Sequence, residues 1–274
     1  MAENFLMNNH KIMNNMKAQI ILFASAVLMV CSCQKENLAE VSTAKNSIVA
    51  TIEEDTKTTV DGTNVTWKED DQITIAYYDS GVKTVTYKLD NTYAGQKQGV
   101  FTGNEISFTG NCYAVYPNSS AGYKSGVKFD LSTPSEQTAD NNVGQYMSMY
   151  TAAFNMGDKL NFKHLSCALK ITIKPSTSTK INKIEVARKY GGADNTPSAT
   201  YKIVNGNVTK TANVGVTLQI GNTISEKTDY YIAVAPKSGG TWTITVTYND
   251  SETKSVEFTE NLIAGTLYTG SFTL

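Results

Sequence analysis

The chain has 274 residues, 24 Lys and Arg against 25 Asp and Glu, and a net charge of −1. That length admits one large domain or two of ordinary size. With neither a basic stripe nor an acidic tail, the charge pattern excludes nucleic acid as an expected partner.

Near the N-terminus, Lys17 precedes a small-and-apolar run, Ala18 to Val30, interrupted only by Gln19 and Ser25, and ending at Cys31-Ser32-Cys33. A positive flank, a short apolar core and a small residue at the cut site predict a secretory signal peptide. The run falls short of the roughly 20 apolar residues that a membrane span needs. Val30-Cys31-Ser32-Cys33 resembles the bacterial lipobox. Cys33 fits better than Cys31, because small Ser32 precedes it where branched Val30 precedes Cys31. The expectation is cleavage between Ser32 and Cys33 with acylation of Cys33. Each buried methylene of the lipid contributes about 0.8 kcal/mol, so several chains hold firmly. Residues 1–32 thus read as a lipoprotein signal peptide and 33–46 as a polar, lipid-anchored tether.

Strand signals dominate the rest of the chain. Ile48, Ala50 and Ile52 alternate, as do Ile73, Ile75 and Tyr77, then Val85, Tyr87 and Leu89. Period-two alternation marks a strand with one buried face. Asp61-Gly62 is a hairpin signal, since Asp-Gly supplies the positive φ of a type I′ turn. No long helix is expected, and the best candidate, Tyr146 to Phe154, is weakly patterned. A long alternating run from Leu165 to Ile173 stops at Pro175, and Ile181, Ile184 and Val186 come next. Asn205-Gly206-Asn207 separates Tyr201–Val204 from Val208. Val214, Val216, Leu218 and Ile220 alternate, Tyr230–Ala235 is apolar up to Pro236, and Trp242, Ile244, Val246 and Tyr248 alternate. The chain closes on Tyr268, Gly270, Phe272 and Leu274. Many short strands with regular turns predict an all-β, Ig-like fold. Turn-like Asn155-Met156-Gly157-Asp158 suggests two tandem β-sandwiches, 47–157 and 158–274, with one larger sandwich as the alternative.

Reactive groupings are sparse. Beyond the signal region the cysteines are Cys112 and Cys167, a possible disulfide in an oxidising envelope or two free core thiols. His10 and His164 share no zinc-ligand spacing with them. Glu53-Glu54-Asp55 and Glu69-Asp70-Asp71 lack the spaced ligands of a calcium loop and read as solvated turns. His164 has no nucleophile and acid in view, so no catalytic residue, metal or cofactor is expected and the protein is not read as an enzyme. Tyr77-Tyr78 and Tyr230-Tyr231 each place one ring on either face of a strand, so one of each pair is a candidate contact for sugar or protein.

Five phrases together resemble the fimbrillin family of Bacteroidetes: Lys57-Thr58-Thr59-Val60-Asp61-Gly62 through Trp67 to Ile75; Tyr113-Ala114-Val115-Tyr116-Pro117; Pro134-Ser135-Glu136-Gln137-Thr138; Phe162-Lys163-His164-Leu165 into Ala168–Ile171; and Tyr230–Pro236 with Ala264–Tyr268. In the first, Asp70 stands where the family has glycine. The resemblance implies two transthyretin-like sandwiches on an outer-membrane lipoprotein. Such a chain would face the cell surface as a fimbrial subunit, tip or anchor and assemble with other subunits by strand exchange. It implies loss of a first strand, roughly Ser47 to Glu53. The family's arginine cut is missing here, since Arg188 is the sole arginine; Lys45 and Lys57 are the candidate processing points. The implied donor strand is Leu267, Tyr268, Gly270, Phe272 and Leu274. Adhesion to a host or bacterial surface protein or glycan fits the same reading. The alternative is a glycan-binding outer-membrane lipoprotein beside a polysaccharide uptake system.

Overall fold

The computed structural model describes residues 46–53, 65–122, 125–139, 143–190, 193–194, 197–212 and 215–274. Among them the chain is all-β, with short 3-10 turns and no α-helix. The first half holds β1 (Ser47–Ile52), β2 (Gln72–Tyr78), β3 (Val82–Leu89), β4 (Gln98–Thr102), β5 (Cys112–Tyr116), β6 (Lys128–Thr133), β7 (Glu136–Thr138), β8 (Met149–Tyr150) and β9 (Leu160–His164). Seven of these close into a barrel in the order β1-β4-β3-β2-β5-β8-β9, sealed where β1 runs parallel to β9. Closure leaves no open edge on this sheet.

The barrel packs around Trp67, which meets Phe101, Tyr116 and Phe162 edge-on with centroids 4.9, 5.6 and 5.6 Å away. The backbone of Trp67 is fixed by its N–H on Gln96 O at 2.9 Å and its carbonyl under Gly95 N–H at 2.7 Å. Such edge-on aromatic contacts add to the apolar burial of the rings.

The second half holds β10 (Cys167–Lys174), β11 (Thr179–Tyr190), β12 (Ala193–Asp194), β13 (Ala199–Val204), β14 (Asn207–Ala212), β15 (Val216–Ile224), β16 (Thr228–Val234), β17 (Thr241–Tyr248), β18 (Glu252–Phe258) and β19 (Leu267–Thr273). One sheet runs β16-β10-β19, and another runs β18-β17-β11-β15-β7 with β12 paired to the end of β11. Their inward residues, among them Leu169, Ile171, Val186, Leu218, Ile232 and Trp242, share one core. A third sheet, β14-β13-β6, lays Phe129, Leu131, Tyr201 and Ile203 against Tyr113 and Val115 of β5, outside the barrel.

Three differences from the sequence expectation have physical causes. The first half is a closed barrel where a sandwich was expected, because the parallel β1–β9 ladder joins its two ends. β9 lies past the expected division after Gly157 yet completes that barrel, and β6 and β7 cross the division the other way to pair with β13 and β15. The weak helix pattern at Tyr146 to Phe154 becomes a 3-10 turn over Val143–Tyr146 and then β8. Elsewhere the local signals hold. Asn205 and Gly206, at φ 47° and 78°, make the β13–β14 hairpin turn. The three-residue step from Ile181 to Ile184 is a bulge between Ile181 and Lys183, which keeps both side chains inward. The Asp61-Gly62 hairpin and Val214 lie outside the described residues.

Candidate strand-docking surfaces

β1 is a self-contained insert in the barrel wall. Ile48, Ala50 and Ile52 are buried, while Ser47, Val49 and Thr51 are half-buried on the outer side. One flank pairs antiparallel with β4, from Ser47 opposite Thr102 to Thr51 opposite Gln98. The other pairs parallel with β9, Ala50 opposite Leu160 and Ile52 opposite Phe162. Ile52 N–H donates to Lys97 O at 3.0 Å, and Glu53 N–H to Phe162 O at 2.9 Å. At mid-strand the seat is shallow. Ala50 faces Gly99, and a Cβ on residue 99 would lie 2.6 Å from Leu89 Cδ1 and 3.1 Å from Trp67 Cδ1. The position therefore takes a small residue between two large ones.

β19 forms one edge of its sheet, parallel to β10 from Ala168 opposite Leu267 to Lys174 opposite Thr273. Phe272 is buried in the core, and Tyr268 and Leu274 pack against it half-buried. The Tyr268 hydroxyl donates to Asn261 O and accepts from Ile263 N–H, both at 2.9 Å. Leu274 N–H reaches Lys174 O at 2.9 Å.

At the opposite edge of that sheet, Gln137 of β7 takes the place of a strand. Its side chain is 1% exposed. Oε1 accepts from Ala233 N–H at 3.0 Å, and Nε2 donates to Ala233 O at 2.7 Å. The Gln137 backbone meanwhile pairs with Leu218 of β15. One residue therefore closes two sheet edges over a common core. The Pro134–Thr138 phrase pointed to this loop, but a primary amide reading a strand edge has no local sequence signal.

Arg188, by contrast, is a group that the alternation could have revealed. It continues the inward series Ile184, Val186 and is 2% exposed. Its guanidinium donates to Ser238 O and Gly239 O at 2.7 Å and lies 5.7 Å from the Trp242 ring centre. It is spent on holding the Ser238–Gly240 turn.

The remaining candidates separate widely. Cys112 and Cys167 are free and buried, one in the barrel core and the other between the second pair of sheets. The candidate bridge is not formed, because each strand turns its thiol into a different core. Burial pushes the Cys112 thiol up to about 11 and the Cys167 thiol up to about 12. Asp70 pairs with Lys88 at 2.8 Å, and the Lys88 ammonium with the Asn91 amide holds its carboxyl below the usual range. Burial raises Asp71, which accepts from the Tyr116 hydroxyl at 3.0 Å and Lys68 N–H at 2.7 Å. These carboxylates tie a turn to the barrel. Among the described residues no three His, Cys, Asp or Glu side chains gather as metal ligands. His164 sits on β9 opposite Met149 of β8. Tyr77 stacks on Phe108 and Tyr230 is buried, whereas Tyr78 is exposed and Tyr231 lies under the Lys170 ammonium. Ser32, Cys33, Lys45 and Lys57 lie outside the described residues.

Residues 56–274 match the family described as fimbrillin-like. The chain belongs to the fimbrillin-like family. The family expected from the five sequence phrases is thus the one found, and its name points to a structural protein of the cell surface. The fimbrillin-like fold is shared with a candidate cell adhesion protein of Bacteroides uniformis. Identity there is 18% and the TM-score 0.51, over 84% of this chain and 92% of that one. A candidate cell adhesion protein of Bacteroides ovatus gives 17% identity and a TM-score of 0.50, over 83% and 91%. The C-terminally truncated tip fimbrial protein Mfa3 of Porphyromonas gingivalis aligns at 14% identity and a TM-score of 0.33, over 80% and 84%. No curated protein matches the sequence.

Proposed function

We propose that this fimbrillin-like chain is a structural or adhesive component of fimbriae: a pilus subunit, tip or anchor. In this reading it is acylated at Cys33 after cleavage behind Ser32, carried on the outer membrane at the cell surface, and joined to other subunits by donor-strand exchange. β1 is the exchangeable strand, and Lys45 and Lys57 are the processing points on either side of it. The C-terminal residues Leu267, Tyr268, Gly270, Phe272 and Leu274 are the donor.

The observation that carries the reading is the seat of β1. Its two flanks are ladders, and its inner face buries two isoleucines, each worth about 1.5–3 kcal/mol by side-chain transfer. Taking β1 out leaves two unpaired strand edges over an apolar floor, which is what an incoming strand satisfies. The C-terminal strand has a matching profile. Tyr268, Gly270 and Phe272 repeat the large-small-large order of Ile48, Ala50 and Ile52, with the small residue where Gly99 and Trp67 leave little room. A head-to-tail contact of this kind does not close on itself and builds filaments.

The test is N-terminal sequencing and lipid analysis of the cell-associated protein, alongside a chain lacking 267–274. Acylated Cys33, or a start after Lys45 or Lys57, supports the reading when boiling-resistant ladders appear in wild type and vanish in the deletion. Ladders that survive the deletion remove the C-terminus as donor. A cytosolic, unacylated product overturns the whole reading. Retardation by polysaccharide in native gels without any polymer would replace it with the glycan-binding accessory.

A further inference from the structure

We infer that this chain is built to carry tension, with its first and last described strands, β1 and β19, clamped in shear on one central ribbon. The ribbon is β9 joined to β10, separated only by Leu165 and Ser166. β1 lies parallel to β9, with Ala50, Thr51 and Ile52 opposite Leu160, Asn161 and Phe162. β19 lies parallel to β10 over seven residue pairs. The link between the two halves of the ribbon is pinned. Ser166 is fully buried, and its hydroxyl meets the Thr133 hydroxyl at 2.6 Å. Gly265 N–H reaches Ser166 O at 2.9 Å, and Leu165 N–H reaches Ser148 O at 2.8 Å.

Parallel pairing decides how tension is met. A pull on the N-terminal end of β1 and on the C-terminal end of β19 drags each strand along its own axis against the ribbon. Opposite ends of each parallel pair are loaded, so the hydrogen bonds of a ladder resist together. Loading the same end of the same pair would break those bonds one after another. Since forced unfolding is governed by the barrier out of the native state, the shear direction is the durable one. The direction is also the one a surface protein meets when its N-terminal side faces the cell and its C-terminal side faces outward. The inference goes beyond the proposed function: it concerns the chain before any strand is cleaved or exchanged, while β1 and β19 both lie on their own ladders.

Single-molecule force spectroscopy on the full chain tests it, with handles in two placements. One pair is attached at Asn46 and after Leu274 and loads both ladders in shear. The other is attached at Asn46 and Asp158, just before β9, and peels the same β1–β9 ladder from one end. The expected rupture force is at least about twofold higher along the Asn46–Leu274 axis at equal loading rate. A smaller ratio overturns the inference.

Discussion

Replacing Gln137 with Met keeps nearly the side-chain volume and removes both hydrogen bonds to Ala233. The site is fully enclosed, so no water takes over: Gln137 is 1% exposed and Ala233 0%. The Ala233 N–H and C=O, now satisfied at 3.0 and 2.7 Å, both become orphans. A buried backbone group without a partner costs about 1–3 kcal/mol, so the pair should cost about 2–6 kcal/mol. Equilibrium unfolding in urea, compared between wild type and Gln137→Met, reads this directly as a lower midpoint at unchanged slope. Amide exchange at Ala233 localises the loss: it should accelerate far more than exchange at Ile171 on the central strand β10. Gln137→Glu should fare no better, because a carboxylate accepts from Ala233 N–H but repels Ala233 O. A loss below about 0.5 kcal/mol for Gln137→Met, with Ala233 exchange unchanged, would refute the claim that this amide seals the sheet edge.

Three further outcomes concern other parts of the fold. Gly240 has φ +81°, and a Cβ there would lie 2.5 Å from Lys189 O, whereas Gly221 has φ +73° with nothing within 4 Å. Gly240→Ala should therefore destabilise by about 2–4 kcal/mol and Gly221→Ala by about 1, with equal losses in thermal melts counting against the packing argument. Neither Cys112 nor Cys167 should react with a thiol reagent at pH 8 in the folded protein, with both labelled after denaturation, since burial holds them at about 11 and about 12; site-resolved mass spectrometry would expose any rapid native labelling. Lys170 and Asp229 pair at 2.9 Å in a half-buried setting. Burial alone would push the Asp229 carboxyl up, but the Thr172 hydroxyl and the Lys170 ammonium outweigh it and hold it below 3.8, while the bond to Asp229 raises Lys170 above 10.5. The pair's contribution is therefore full between those values, fades as pH falls below 3.8, and fades again as pH rises above 10.5. A Lys170→Met, Asp229→Asn double-mutant cycle should give about 0.5–1 kcal/mol of coupling at pH 7, and coupling that shows no decline as pH falls from 7 to well below 3.8 would contradict the pairing.

What the residues announce and what they conceal divide along the range of the interaction. Alternation places Ile48, Ala50 and Ile52, or Trp242, Ile244 and Val246, on buried faces because the pleat imposes a period of two wherever one face meets a core. Asn205-Gly206 marks its own turn because positive φ is a local demand. Partner choice is another matter. Nothing in Leu160–His164 states that it will run parallel to Ser47–Ile52, so barrel closure and the mixed membership of the sheets are invisible until distant segments meet. The same limit applies to the two thiols: both sit in apolar strands, but which core each strand faces is a property of the assembled layers. Gln137 is readable as part of a phrase and unreadable as a cap, because its partner is 96 positions away.

The segment Lys128–Thr138 lies before the turn at Gly157 yet supplies strands to two sheets built mainly from later residues. Its Lys128 waits for Val204, and its Gln137 for Leu218 and Ala233. As the polypeptide is synthesised, this stretch has no complete partner until most of the remaining residues have been added. Such long-range pairing slows closure and lengthens the period in which bare strand edges are on offer. A gene cut between the halves would strand Phe129 and Leu131 on one fragment and the sheet that shelters them on the other, so neither fragment inherits a finished surface.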